Sequence, residues 1–532
     1  MEERLIDRRQ FLIAGAAAGV AAAAPLNYAA IARGKRLPLT HDGSFLHGVA
    51  SGQPTPGGIE LWTRLSGIDR SALLTLEVAK DSGFSRVVRR EVVRAPKRHD
   101  NTVHARVNGL YPSQQYYYRF HTRNHDSKVG QFRTLPPPDS NQTIRIGFFS
   151  CQDYEAGYYT THAALAQEPD LDLVLCLGDY IYEHKYYPGP AAREDHTGVN
   201  HDGDVQSLAE FRQKYHFYQA DPNLQALHAA HPFVSVWDDH EVEDNYAGKT
   251  PDSASTSPET LENNNSYPRR VPFLQRRRNG YKAFFEAMPR QRFGPHIVFG
   301  SMRLGKQVEL ILTDQRRYRD PQPCNDALLT PCPDDEASGR TMLGNFQKNW
   351  FKGTLASSKA NWKLWGSEVM VMSLDTAVAT PTTPGAHANP DQWDGYSAER
   401  KEILSYAIAK GVKNLVVLSG DIHTFIAGNV TTTGGITGQA AGTELVGGSV
   451  TSLGLSEFLG VPPATLEALR KAADPHTIYA DFVKKGYCVV TVNSNELIGE
   501  FKAAATTQTP TSPTSTIARF RVANGVPKIQ QI

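Results

Sequence analysis

The chain has 532 residues, of which 40% are hydrophobic and 21% charged, with a formal net charge of +1 at pH 7. That length allows one large domain and a smaller one, with the composition of an ordinary globular protein. A net charge so close to zero excludes a global field that would recruit nucleic acid or an anionic membrane, and no stable nucleic-acid partner is expected.

The N-terminal stretch MEERLIDRRQ carries the adjacent pair Arg8 and Arg9, then Phe11, Leu12 and an alanine-rich apolar run to about Pro25. Ala30-Ile31-Ala32 offers small residues for a peptidase, so residues 1–32 read as a signal peptide cleaved after Ala32. The apolar run is too short and too weakly hydrophobic for a good membrane span, and no later segment is long and apolar enough to be one. DRRQFL resembles the twin-arginine pattern, which implies export of a folded protein through the twin-arginine machinery to the periplasm or the medium. Glu2, Glu3 and Asp7 offset the charge of Arg4, Arg8 and Arg9.

Residues 41–135 read as an all-β domain. GIELWTRL, ALLTLEVAK, VVRREVV, HARVNGL and YYYRFHT are short runs rich in β-branched and aromatic residues, separated by turn formers. GLYPSQQYYYRF resembles the corner of a fibronectin-like sandwich, with Leu110 and Tyr116 packed inside. PPPDSNQ, residues 136–142, reads as a linker.

Over residues 143–532 the pattern changes. IRIGFFS, DLVLCLG, PFVSVW, VELILT, KLWGSEVMV and NLVVLSG read as buried strands, and TTHAALAQE, SLAEFRQKYH, YKAFFEAM and AERKEILSYAIAKG read as helices between them. Strand–helix alternation predicts an α/β domain. Thr506–Pro513 reads as a loop before a last strand, IARFRV. Of the five cysteines, Cys324 and Cys332 bracket a Pro-rich loop and are candidates for a small-loop disulfide in an oxidising compartment. Cys176 and Cys488 lie in apolar runs and read as core residues.

Ligands bind at the carboxyl ends of strands in open α/β sheets. Here those ends repeatedly carry metal-capable residues: Cys151 with Asp153 nearby, Asp179 with Tyr182, Asp238-Asp239-His240, Asp314, and Asp421 with His423. Buried carboxylates without cations are costly, and a metal cluster removes that cost. Asp238 reads equally well as a turn residue or an outer ligand. Asp153 and Asp314 read as structural as readily as ligating, and Asn245 and Tyr246 as loop capping.

SCQDYEAGYY, LGDYIYE, WDDHEVEDNY, LTDQRRYRD, MLGNFQKNWF and SGDIHTF stand in one order along the chain. In that order they resemble the blocks of the PhoD-type alkaline phosphatases, a branch of the calcineurin-like metallophosphoesterase superfamily related to purple acid phosphatases. The resemblance spans roughly Phe45 to Val522. It implies a four-layer α/β/β/α sandwich behind the smaller β domain, and hydrolysis of phosphate monoesters, with diesters also expected, by a metal-activated hydroxide. It implies that Asp179 bridges two metals, that Cys151, Tyr182 and His423 complete the coordination of Fe(III), and that Asp239 and Asp421 join Asp179 around Ca(II). Oxygen-only ligation favours calcium over zinc at the second position, although the same ligands accept Mn or Mg. The superfamily's Asp, Asn and His are replaced here by Cys151, Asp239 and Asp421, and Glu368 lies near where a further superfamily His belongs.

His240 is expected to face the substrate, stabilising phosphoryl charge or protonating the leaving group. Arg316 and Arg317, next to a strand end, are candidates for substrate binding. Arg269, Arg270 and Arg276 to Arg278 read as a solvated basic face. Two other readings compete: a phosphodiesterase or phospholipase D-like enzyme on the same site, and a secreted binding module centred on the β domain.

Overall fold

The computed structural model describes residues 38–185, 191–251, 269–291, 296–329, 332, 339–377, 386–387 and 389–532, so the signal peptide expected over 1–32 lies outside the described residues.

The N-terminal part is built from period-two strands. Gln115–His121 alternates half-buried and buried positions, and its buried set is Tyr116, Tyr118 and Phe120. A three-stranded sheet is ordered Val49–Thr55, Gly58–Arg64, Thr102–Asn108. A four-stranded sheet is ordered Val87–Ala95, Ala72–Ala79, Gln115–His121, Gly130–Arg133. Ile59, Leu61, Leu74, Leu76, Tyr118 and Phe132 close one core between them. Leu110 and Tyr116 are inside, as expected, and the Tyr116 hydroxyl accepts the Tyr111 N–H at 3.0 Å, pinning the corner.

Two seven-stranded sheets follow. The first runs Phe233–Ser235, Leu173–Cys176, Ile144–Phe149, Gly486–Val492, Glu496–Ala504, Thr514–Ala523, Ile529–Gln531. Its first three strands are parallel and the rest antiparallel. The second runs Gly300–Leu304, Val308–Leu312, Trp362–Gly366, Leu415–Ser419, Ala440–Val446, Phe425–Thr431, Thr477–Asp481, with a parallel centre from Val308–Leu312 to Ala440–Val446. Central strands such as Leu173–Cys176 and Leu415–Ser419 are buried along their whole length, which is why they read as continuous apolar runs.

The sheets pack face to face: Ile146, Phe148 and Val174 of the first share a core with Leu310, Leu364, Val416 and Leu418 of the second. On the outer face of the second, Ile311, Trp365 and Val417 meet Phe351 and Leu355 of helix Gly344–Ser357, and Ile403 and Leu404 of helix Ser397–Ala409. Helices Thr160–Ala166, Leu208–Gln219 and Pro222–Ala230 bring Leu165, Phe211, Leu224 and Leu227 to the core of the first. The result is the expected α/β/β/α sandwich behind a β region.

The β region is tied to the sandwich by polar contacts. Trp62 Nε1 donates to the Glu286 carbonyl at 2.9 Å, and Arg212 Nη2 donates to the Arg98 carbonyl at 3.0 Å. The segment over 136–142 is likewise docked, since Ser140 O accepts Lys306 N at 2.7 Å. Among the described residues no helix is long and apolar enough to cross a membrane.

Candidate metal centre

The two sheets meet at the carboxyl ends of their central strands. Ser150 bridges to Ser449, and a Cβ at Gly420 would stand 2.2 Å from Ser150 Oγ, so a side chain there would force the edges apart. This contact sets Cys151, at the end of Ile144–Phe149, opposite Asp421, at the end of Leu415–Ser419. Gly178 does the same within the first sheet. Its φ is +107°, and a Cβ there would come within 2.3 Å of Asp238 Cβ, so only glycine lets the Asp179 and Asp238 turns close. Glu241 then ties those turns: Oε2 accepts Asp238 N at 2.7 Å and Asp179 N at 3.2 Å, and Oε1 accepts Tyr180 N at 2.7 Å.

Cys151, Asp179, Asp421 and His423 all have left-handed backbones, with φ of 59°, 52°, 66° and 54°. Such positions cost about 1–3 kcal/mol each for non-glycine residues and cluster at functional sites. The strands must turn sharply to lay these side chains over the sheet edge.

Three overlapping groups of ligand atoms result, each within 4.8 Å: Cys151, Asp179, His423; Asp179, Asp239, His240; and Asp238, Asp239, Asp421. Asp179 joins the first group to the second, and Asp239 joins the second to the third. Tyr182 completes the first, its Oη 3.2 Å from Asp179 Oδ2 and 3.1 Å from His423 Nε2. His423 Nδ1 lies 2.9 Å from the Leu453 carbonyl, so Nδ1 carries the proton and Nε2 offers a lone pair to the cluster.

The electrostatics mark a charge deficit. Burial, then the charge of Asp239, pushes Asp179 well above the ordinary carboxylate range. Burial, then Asp179, pushes the Cys151 thiol up. Burial raises Asp421 to about 6 against the pull of Arg316. Burial also acts on Asp239, but Arg316 and His240 outweigh it and hold that carboxyl low. Asp179 Oδ1 and Asp239 Oδ1 are buried with no hydrogen-bond partner. Five carboxyl groups (Asp179, Asp238, Asp239, Asp391, Asp421) face two guanidiniums (Arg316, Arg319) and the His240 ring, so acidic groups outnumber basic ones. Thiol, phenol and imidazole in this arrangement fit a transition-metal ion and the carboxylates a hard cation, and cations there would offset the buried negative charge.

His240 stacks on Tyr182 with ring centroids 4.1 Å apart, and its Nδ1 lies 2.7 Å from Glu183 Oε2. Burial pulls the imidazole down, but Glu183, Asp239 and Asp179 outweigh it and hold the ring well above its ordinary value.

The arginines depart from expectation. Arg316 is wholly buried, with Nε against Asp238, Nη1 2.8 Å from Asp391 and Nη2 2.7 Å from Asp421. Every nitrogen is committed to a carboxylate, so Arg316 organises the acidic cluster and has none left for a substrate. Arg317 turns elsewhere, donating to the His296 carbonyl and lying over the Tyr281 and Tyr318 rings. The solvated basic face holds only in part: Arg269, Arg270 and Arg278 are exposed, with Arg270 paired to Asp204 and Glu210, whereas Arg277 is buried and Arg276, 6% exposed, pairs with Glu243 at 2.9 Å.

Asp238 belongs to the cluster. Asp314 accepts from Trp237 Nε1 and Arg317 N, and Asp153 Oδ1 accepts Glu155 N. Asn245 N holds Asp239 Oδ2 at 2.7 Å. Glu368 is fully buried with neither oxygen hydrogen-bonded, and stands outside the three groups. Sequence reasoning missed Glu183, Asp391, Gln392, which donates to Asp421, and Ser452, whose Oγ lies 2.7 Å from Tyr182 Oη. Glu183 was within reach, as the last residue of LGDYIYE.

Fold and site together define a metallophosphoesterase-type hydrolase. The purple acid phosphatase PPD1 from yellow lupin (Lupinus luteus) seeds superposes with a TM-score of 0.51 at 12% identity over 89% of this chain and 74% of that one, a likeness of fold alone. The family is narrower. Residues 146–501 match the PhoD-like phosphatase family, and residues 33–136 match the PhoD-like phosphatase N-terminal domain. Alkaline phosphatase D of Bacillus subtilis (strain 168) is 32% identical over 547 aligned residues, covering 98% of this chain and 88% of the relative. A solved structure of PhoD superposes with a TM-score of 0.80 at 30% identity, covering 93% of both chains. The chain belongs to the PhoD-like phosphatase family.

Proposed function

We propose that this protein is an exported, metal-dependent phosphoesterase that hydrolyses phosphate monoesters and also diesters. The carrying observation is the run of three ligand groups linked through Asp179 and Asp239, each linking residue keeping one buried oxygen that accepts no hydrogen bond. Cys151, Tyr182, His423 and Asp179 would hold Fe(III). Asp179, Asp239 and Asp421, with Asp238 beside them, would hold Ca(II), or Mn or Mg in its place. When bound, such ions neutralise the buried charge, polarise a phosphoryl oxygen and lower the pKa of water.

The chain's own residues supply the rest. Glu241 and Gly178 fix the turns that carry Asp179 and Asp238. Arg316 holds Asp238 and Asp421 in register across the two sheets. Glu183 accepts from His240 Nδ1, orienting the ring and keeping it an imidazolium. Protonated His240, beside Asp179 and Asp239, is the group that stabilises phosphoryl charge and delivers a proton to the departing alkoxide.

Export is supported by the Arg8–Arg9 leader pattern and by the Cys324–Cys332 disulfide, which suits an oxidising compartment. The twin-arginine machinery is then its export partner. The test is the location of the full-length chain and of an Arg8→Lys/Arg9→Lys variant in fractionated cells. Retention of the variant inside, with the parent outside the inner membrane, supports the reading; equal distribution of both contradicts it.

A further inference from the structure

An apolar cavity shares its wall with the turn that carries Asp421 and His423. It has a volume of about 250 Å³ and an almost wholly apolar wall. Ile422 and Leu455 line its inner side, Phe458 and Leu469 come from the helical stretch after Ala440–Val446, and Leu328 and Leu329 come from the loop closed by the Cys324–Cys332 disulfide. Small-molecule sites run from roughly 300 Å³ upward, so this one suits a single ring or a short alkyl chain.

Its wall and the metal centre are built from the same three segments. Ile422 stands between Asp421 and His423. Asn389, on the cavity wall, accepts Asp391 N, and Asp391 grips Arg316. Leu455 follows Leu453, whose carbonyl orients His423. Asp421 and His423 are also the two candidate ligands that are not fully buried, whereas Cys151, Asp179, Tyr182 and Asp239 are. Neither Asp421 nor His423 itself lines the cavity, but Ile422 between them does, so the half-buried edge of the centre and the cavity share one turn.

The polar groups in the wall are already engaged. Arg470 spends Nε and Nη2 on Glu467 and Nη1 on Thr477, and Asp474 accepts Asp375 N. A second phosphate would find no donor there, whereas hydrocarbon would displace water from apolar surface.

We infer that this cavity is the leaving-group subsite of the centre, receiving the alkyl or aryl arm of an ester whose phosphate sits at the Asp421–His423 edge. The inference rests on the phosphoesterase reading and assigns its substrate class: phosphate esters of apolar alcohols.

The test uses the full metal-loaded chain. Ethyl, butyl and hexyl phosphate are compared by kcat/KM, and ethyl- and hexylphosphonate, which cannot be hydrolysed, by calorimetric binding. Hexyl over ethyl should be favoured by on the order of tenfold or more in both series, less than full burial of four methylenes would give. Leu469→Glu and Leu329→Glu, at rim positions 42% and 46% exposed, should each cut that ratio several-fold. Hydrolysis with no chain-length preference would overturn the subsite and leave the phosphoesterase reading intact. Chain-dependent phosphonate binding without turnover would uphold the subsite and contradict the phosphoesterase reading. Binding that ignores chain length, or a preference that survives both variants, would overturn the subsite.

Discussion

Tyr182 Oη lies 3.1 Å from His423 Nε2, although 241 residues separate the two in sequence. The contact joins a turn of the first sheet to a turn of the second, and Ser452 Oγ supports the phenol from behind at 2.7 Å. Phenolate bound to Fe(III) gives a visible charge-transfer band. Tyr182→Phe removes the oxygen and little volume, so the iron-loaded variant should lose that band while far-ultraviolet circular dichroism is unchanged. An undiminished band would remove Tyr182 from the ligand set.

His240→Ala should lower kcat by about 10²–10⁴-fold, the range for loss of a positioned acid. Iron and calcium content, read by elemental analysis, should stay at parent levels. Loss of the metals would make His240 a ligand and not an acid.

Glu183→Gln tests the same group through pH. Glu183 is the foremost of the charges that raise His240, so removing it lowers the imidazole pKa. A proton donor works below its pKa, and the alkaline limb of the kcat profile should therefore move to lower pH. A shift to higher pH, or none, would contradict the Glu183–His240 coupling.

In the chelated protein the contribution of Asp421 to stability, read as the difference from Asp421→Asn, should fall as pH rises from about 4 to about 6. Asp421 has an ordinary value of 3.8, raised to about 6 in the fold. Between those values the folded chain binds more protons than the unfolded one, and stability then falls with rising pH. Calcium should reverse the loss, raising Tm by several degrees more at pH 7 than at pH 4, as scanning calorimetry would show. Arg316→Met, which strands Asp238 and leaves Asp391 to Arg319 and Asp421 to Gln392, should cost about 3–5 kcal/mol.

The Cys324–Cys332 bond closes a separation of 8 residues. Loop-closure entropy makes its loss worth roughly 2–3 kcal/mol. Denatured, unreduced protein should show three reactive thiols (Cys151, Cys176, Cys488), and reduced protein all five. Five thiols without reductant would rule the bond out.

Much of the centre was legible because its residues end apolar runs: LVLCLG stops at Asp179 and LVVLSG at Asp421, and strand ends are where ligands bind. The arginines were not legible. Arg316 stands in QRRYRD, which looks like exposed basic sequence, and its partner Asp391 is 75 residues away. Arg276 likewise meets Glu243 across 33 residues. Local charge runs carry no record of such distant carboxylates. The apolar cavity was hidden for the same reason, since its wall draws on segments near 328, 422 and 458 that only the two-sheet topology assembles.

The most direct measurement is hydrolysis of a phosphate monoester and its matching diester by one purified sample of known iron and calcium content, before and after chelation. The monoester should be turned over, with the diester also cleaved, and both activities should be lost on chelation and recovered on metal return. No turnover of either ester at full metal loading would contradict the phosphoesterase reading.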